Sequence, residues 1–149
     1  AAFEQVALAK VGTSAWENKE LGYLAPHDMI AMNGDHRLAL AQHRALQLVR
    51  IGARPPEVEK IYAAGRDVYS ALVVGVKSLN WGAYATDYDV VVAKKLAYVL
   101  CGGDISGPAW VDPWYILDLE REAFLSLLGE EKTRERMTAM LTTGKPLRN

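Results

Sequence analysis

The sequence predicts an all-α protein of five to six helices in a compact bundle, with at most one short strand or strap near residues 58–62. Three observations carry that class. Apolar residues recur at three- and four-residue steps in segment after segment, the spacing that gathers side chains on one face of a helix. Residues that cap helices stand at the starts of these segments and glycines stand at their ends. Period-two alternation, the mark of a half-buried strand, is confined to Val58–Tyr62.

Ala1–Val11 is apolar-rich but irregular, with a short helix and a strand both open. Thr13–Ser14 cap a helix through Trp16 to Leu21, Glu17 completes a capping box three residues after Ser14, and Gly22 ends it. Tyr23-Leu24-Ala25-Pro26 is an extended link, because the residue before proline is pushed out of the helical region. His27–Asp28 begins a further turn and Asn33–Gly34 breaks it. Asp35 is expected to cap a long helix to about Ile51, with Leu38, Ala41, Ala45, Leu48 and Val49 on one face and Gly52 as its stop. Ala53-Arg54-Pro55-Pro56 is the clearest linker.

Gly65-Arg66-Asp67 leads into a helix ending near Trp81–Gly82, with Val68, Leu72, Val76 and Leu79 expected inside. Thr86 or Asp87 caps the next, Tyr88–Cys101, with Val92, Leu96 and Val99 or Leu100 expected inside and Gly102–Gly103 as the stop. Asp104–Val111 is a loop. Asp112 then caps a helix that takes Pro113 at its first position, where a missing N–H costs nothing. Leu117, Phe124 and Leu128, flanked by Ile116, Ala123 and Leu127, form its expected apolar face. Gly129 is expected to supply a left-handed stop, and Glu130–Glu131 place negative charge at the start of the last helix.

Composition narrows the function classes. The 149 residues carry 17 basic and 18 acidic side chains, closely interleaved, for a net charge of −1. That balance gives no support for non-specific nucleic-acid binding or a polybasic membrane anchor. No apolar run approaches the ~20 residues that span a bilayer. One cysteine, Cys101, permits neither an intrachain disulfide nor a thiolate cluster, and a reducing, cytoplasmic setting is the simplest fit. The opening Ala-Ala-Phe-Glu-Gln-Val, without an initiator Met, reads as an internal start, so the expectation is a piece of a longer chain.

His36 and His43 share a helix face but lie two turns, on the order of 10 Å, apart, too far to hold one ion, and His27 adds no ligand spacing. Cys101 closes a helix, where the dipole opposes a thiolate, so a structural thiol is expected. Asp118, Glu120, Arg121 and Glu122 crowd one helix; the i,i+4 carboxylates Asp118 and Glu122 with Arg121 between them read as an ion-paired, solvated face more than as an acid–base pair. Cys101-Gly102-Gly103-Asp104 follows a helix and lacks a following lysine, so it is no phosphate loop. Trp16, Trp81, Trp110 and Trp114 read as core or interface anchors, because no basic residues alternate with them. The tail Thr143-Gly144-Lys145-Pro146-Leu147-Arg148 offers two cations, and a lysine suits phosphate as a mobile point charge.

Several stretches together are similar to a known family. Leu117-Asp118-Leu119-Glu120-Arg121-Glu122-Ala123-Phe124-Leu125-Ser126-Leu127 and Gly144-Lys145-Pro146-Leu147-Arg148-Asn149 closely resemble the end of bacterial 3-hydroxyacyl-CoA dehydrogenases of fatty-acid β-oxidation. The relevant form is the long one, with an N-terminal dehydrogenase and a C-terminal enoyl-CoA hydratase-like (crotonase) region. Lys95–Gly103, Ala9–Ala15, Glu20–Leu24 and Asp28 fit the same proteins, so the resemblance spans nearly the whole chain.

The resemblance implies that residues 1–52 end the crotonase-like region, 53–64 are a linker and 65–149 form a C-terminal helical subdomain. The crotonase glutamates and oxyanion amides, the dinucleotide fingerprint and the dehydrogenase His–Glu pair would all lie upstream, so no catalytic residue is expected here. NAD and an acyl-CoA substrate are implied for the parent enzyme and no cofactor for this part. The implied partners are the upstream catalytic domains of the same chain and further copies in a homo-oligomer. In many crotonases a lysine just before the terminal proline lies near CoA, which makes Lys145 the implied CoA contact and Arg148 a second one. The chain departs from that pattern in carrying Thr143–Gly144 where a basic pair is usual. The competing expectation is a free-standing helical interaction module with no catalytic role.

Overall fold

A computed structural model of the protein describes residues 2–149. Among them are seven α-helices, one 3₁₀ turn and a two-stranded sheet. The mostly helical class expected from the sequence holds. The chain divides into two compact units, residues 9–57 and residues 2–8 with 58–149.

In the 9–57 unit, α2 (Ala15–Glu20) is capped by the Ser14 hydroxyl, which accepts from the Glu17 N–H at 3.1 Å. The reciprocal arm of the expected capping box goes elsewhere. The Glu17 carboxylate accepts from both the N–H and the hydroxyl of Thr13 at 2.7 Å, and those two bonds hold its pKa below the usual carboxylate value. The long helix starts differently from the expectation. The Asn33 side chain, not Asp35, accepts the first free N–H, that of Asp35, and opens a 3₁₀ turn at Gly34–His36 that feeds α3 (Arg37–Arg50). No residue of this unit is buried. The expected inner face of α3 is open to solvent here: Leu38 is 81% exposed and Val49 76%.

The second unit is built around α5 (Asp87–Leu100), which packs against α1 (Ala2–Ala7), α4 (Gly65–Trp81) and α6 (Pro113–Leu128); α7 (Glu131–Thr143) packs on α6. Its inner face is Tyr88, Val90, Ala93, Ala97 and Val99. This corrects the sequence expectation, because Val92 and Leu96 are only half-buried. The small side chains Ala93 and Ala97 let neighbouring helices come close, and Ala97 is wholly buried. Val76 of α4, Val90 and Ala93 form one cluster, with Phe3 of α1 packed against it; Val99 with Leu119 and Ala123 of α6 forms another.

The inner face of α6 also differs. Leu119 and Ala123 are buried, while Leu117 and Phe124 are exposed. On α4, Val76 is buried as expected but Val68 and Leu79 face solvent. Both helices are apolar around much of their circumference, so periodicity alone admits several inward stripes. Asp112 caps α6 as expected, accepting the Trp114 N–H at 2.8 Å, with Pro113 at the first position. Gly129 is right-handed (φ −63°), and the left-handed stop falls instead at Gly144 after α7, with φ +67°.

The strand expected over 58–62 is β1 (Ile61–Ala63). It pairs antiparallel with β2 (Ala109–Val111), a segment the sequence left in a loop, in the register Ile61–Val111, Tyr62–Trp110 and Ala63–Ala109. The Tyr62 and Trp110 rings meet edge to face at 5.4 Å, yet both remain exposed. All four tryptophans are exposed, so none is a core anchor. The end of α5 locks the base of the unit: the Gly65 N–H donates to the Cys101 carbonyl at 3.0 Å and the Tyr115 hydroxyl donates to the Gly102 carbonyl at 2.9 Å.

Candidate functional site

The tail that carries Lys145 and Arg148 begins at the α7 stop. The Gly144 N–H donates to the Met140 carbonyl, and the Lys145 N–H donates to the Thr143 hydroxyl at 3.1 Å, which holds the first tail residue onto the helix end. A β-carbon at Gly144 would meet open space, so only its left-handed backbone asks for glycine there. Lys145 and Arg148 are both exposed, and among the described residues neither ammonium nor guanidinium has a side-chain partner.

The tail ends in a polar clasp that the sequence reading missed. Arg136 of α7 donates through Nε to the Asn149 side-chain oxygen at 2.8 Å and through Nη2 to the Asn149 backbone oxygen at 3.2 Å. Its Nη1 donates to Asp89 at 2.7 Å, and its Nη2 also reaches the Thr86 hydroxyl at 3.3 Å. The guanidinium lies over the Tyr88 ring, 5.0 Å from its centre, where the ring face attracts a cation. Asn149 is held from its other side as well: its amide donates to the Glu135 carboxylate at 2.6 Å and to the Lys132 carbonyl at 3.3 Å.

The clasp grows out of a local motif on α5. Thr86 caps the helix, and Asp89 three residues on returns the bond by accepting the Thr86 N–H at 2.9 Å. This reciprocal pair satisfies two N–H groups that a helix start leaves without partners. It also turns one Asp89 oxygen toward α7, where Arg136 meets it. Partial burial pulls the Asp89 pKa up, but the Thr86 N–H and the Arg136 guanidinium together outweigh it and hold the carboxyl below its usual range. Thr-x-x-Asp is readable in the sequence; that Arg136 and Asn149 close on it is a tertiary fact, since Arg136 and Asp89 are 47 residues apart.

Beside the clasp lies an open groove lined by Asn80, Ala83, Tyr84, Ala85, Thr86, Asp87 and Asp89, with Arg148 on its wall. Ala83 takes a left-handed turn (φ +60°) that carries the chain from α4 into the groove's floor. Asp87 accepts from the Asn80 amide at 3.0 Å, so both acidic side chains of the groove are engaged. Lys145 does not line it. The structure therefore puts Arg148 at a groove and Lys145 on the exposed strap before it.

Among the described residues no three His, Cys, Asp or Glu side chains could hold a metal ion. Cys101 is 2% exposed and burial pushes its thiol pKa up, as a structural thiol requires. Asp118 and Arg121 form an exposed ion pair at 3.2 Å, the solvated face expected of them. No helix among the described residues is long and apolar enough to cross a membrane.

Comparison with known proteins adds one relationship. The chain is 46% identical, over 147 residues, to the probable 3-hydroxyacyl-CoA dehydrogenase of Bacillus subtilis (strain 168). That alignment takes in 99% of this chain but 19% of the relative, so the chain spans about a fifth of the length of the curated protein it matches. No protein-family profile matches the chain, and no solved structure matches it.

Proposed function

We propose that this chain is the C-terminal helical part of an NAD-dependent 3-hydroxyacyl-CoA dehydrogenase of fatty-acid β-oxidation, and that it supports chemistry carried out by upstream domains. The observation behind the proposal is the 46% identity, sustained over nearly the whole chain, to a fifth of a protein described as a probable 3-hydroxyacyl-CoA dehydrogenase. In that reading the oxidation of the 3-hydroxyl group takes place outside these residues. NAD would be held upstream, because this sequence has no Gly-x-Gly-x-x-Gly fingerprint.

The chain's own contribution has two parts. The first is packing: side chains such as Met32 (84% exposed), Leu38 and Trp81 leave apolar surface that a larger assembly, upstream domains or further copies, would cover. The second is charge. Lys145 and Arg148 are unpaired cations on a strap fixed to the helical unit, suited to the phosphates of an acyl-CoA, Lys145 as a mobile point charge and Arg148 as a planar donor fork.

Two measurements test the reading. The intact mass of the natural product should exceed that of these 149 residues severalfold; a natural product of this length alone would favour a free-standing interaction module. Calorimetric titration with acyl-CoA should show binding that Lys145→Ala weakens about tenfold, the cost of one charge-assisted contact. Identical isotherms for the two chains would remove Lys145 from any CoA site.

A further inference from the structure

We infer that residues 145–148 form a strap clamped at both ends, and that Asn149 and Arg136 are positioning residues that hold Lys145 and Arg148 where they meet phosphate. The inference rests on the acyl-CoA reading above and adds to it the residues that make the contact possible.

The clamp is asymmetric. At its near end the strap leaves α7 through the left-handed Gly144 and the bond from the Lys145 N–H to Thr143. At its far end Asn149 makes hydrogen bonds to Arg136, Thr86, Glu135 and the Lys132 carbonyl, using its backbone oxygen and both polar atoms of its side chain. Pro146 removes further freedom by fixing its own φ and restricting Lys145. A four-residue segment tied in this way has little entropy left to lose when a ligand binds, the condition under which a single lysine contact retains most of its value.

Of the acidic groups around the strap, Asp89 is ion-paired with Arg136, while Asp87 and Glu135 accept from the neutral amides of Asn80 and Asn149 and keep their charge. The Arg136 guanidinium is only about one-fifth exposed and is committed to Asp89, Thr86 and Asn149. Lys145 and Arg148 are exposed cations at this end of the unit, alongside Lys132, whose ammonium lies 5.7 Å from the centre of the Tyr88 ring, and the clasp keeps the first two on one short, fixed segment. The Asn149 side chain can be removed without breaking the Arg136–Asp89 pair: Asn149→Ala takes away its bonds to Arg136 Nε, Glu135 and the Lys132 carbonyl and leaves the two that its backbone oxygen accepts.

The experiment compares wild type, Lys145→Ala, Asn149→Ala and the double variant of the 149-residue chain, with coenzyme A as the probe and phosphate-free pantetheine as its control. Backbone ¹⁵N relaxation at Leu147 and Arg148 reads the clamp; calorimetry reads binding. We expect order parameters near 0.85 in the wild type to fall below about 0.6 in Asn149→Ala, with CoA affinity dropping about fivefold to tenfold. In the Lys145→Ala background, Asn149→Ala should cost less than it does in the wild type, because one of the two contacts it positions is already gone. Unchanged relaxation in Asn149→Ala overturns the positioning role of the Asn149 side chain. A loosened strap with unchanged CoA affinity, while Lys145→Ala still weakens binding, overturns the positioning role and leaves the acyl-CoA reading standing. Additive losses in the double variant assign Asn149 a separate structural role and overturn the inference. Failure of the wild type to bind CoA, or binding equal to that of pantetheine, takes down the acyl-CoA reading and the positioning role together.

Discussion

Gly65 and Gly144 both adopt left-handed backbone, with φ of +78° and +67°, but they do so for different reasons. A β-carbon on Gly65 would fall 2.6 Å from the carbonyl carbon of Gly107, a backbone atom that cannot swing aside. The same atom on Gly144 would meet nothing within 4 Å. Gly144→Ala therefore carries only the left-handed penalty, about 1 kcal/mol, whereas Gly65→Ala adds a steric clash and should cost roughly 2–4 kcal/mol. Urea unfolding followed by circular dichroism separates the two. Equal losses at the two sites would show that the close approach of Gly65 to Gly107 is not a real constraint. The sequence marked Gly144 only as part of a tail and Gly65 only as a helix start, because neither a φ angle nor a neighbour 42 residues away is written in local composition.

At the scale of an element, the start of α5 concentrates most of what joins the second unit's helices by polar contacts. Asp89 serves the Thr86 N–H within its own helix and Arg136 across to α7. Its folded-state pKa is lowered, so its contribution to stability is fully present above the ordinary carboxylate pKa and is lost as pH falls through the lower folded value. Asp89→Asn should remove that dependence: the loss of stability in the variant, relative to wild type, should be largest near pH 6–7 and should shrink below about pH 4. Urea midpoints measured from pH 7 to pH 2.5 check this, and a difference that stays constant across the range would mean that the carboxylate charge contributes nothing. The cap itself was legible, since Thr86 was one of two candidates and the Thr-x-x-Asp spacing is local. The inward faces were not. On α5, valine and leucine occupy positions 90–92, 96 and 99–100 on several sides of the helix, so the stripe through Ala93 and Ala97 is selected by the neighbours that need close approach.

At the scale of the molecule, the helical class and the glycine-ended segments were read correctly, and much of the apolar surface of these helices stays exposed. Leu38 and Val49 project from α3 with 81% and 76% of their surface open. If these side chains serve contact with other parts of a larger protein, Leu38→Lys with Val49→Lys should shift the stability of the isolated chain by no more than about 0.5 kcal/mol. The same pair should reduce self-association and hydrophobic-dye binding, and in the natural polypeptide it should lower thermal stability. Ultracentrifugation and dye titration report the first effect. A large stability loss in the isolated chain would place these residues in its own core.

The sequence by itself determined the features that depend on a few consecutive residues: where most helices begin, which of them Pro113 and Asp112 open, that α2 and α3 stop by Gly22 and Gly52, and that Cys101 is a quiet thiol. Tertiary structure alone decided which stripe of each helix is buried, that Ala109–Val111 becomes a strand against Ile61–Ala63, and that Arg136 and Asn149 close a clasp on Thr86 and Asp89. The physical reason is range. Capping bonds are satisfied within about four residues, so local sequence encodes them. A strand three residues long, or one apolar stripe among several on a greasy helix, has no stability until a distant partner arrives to pair with it or cover it.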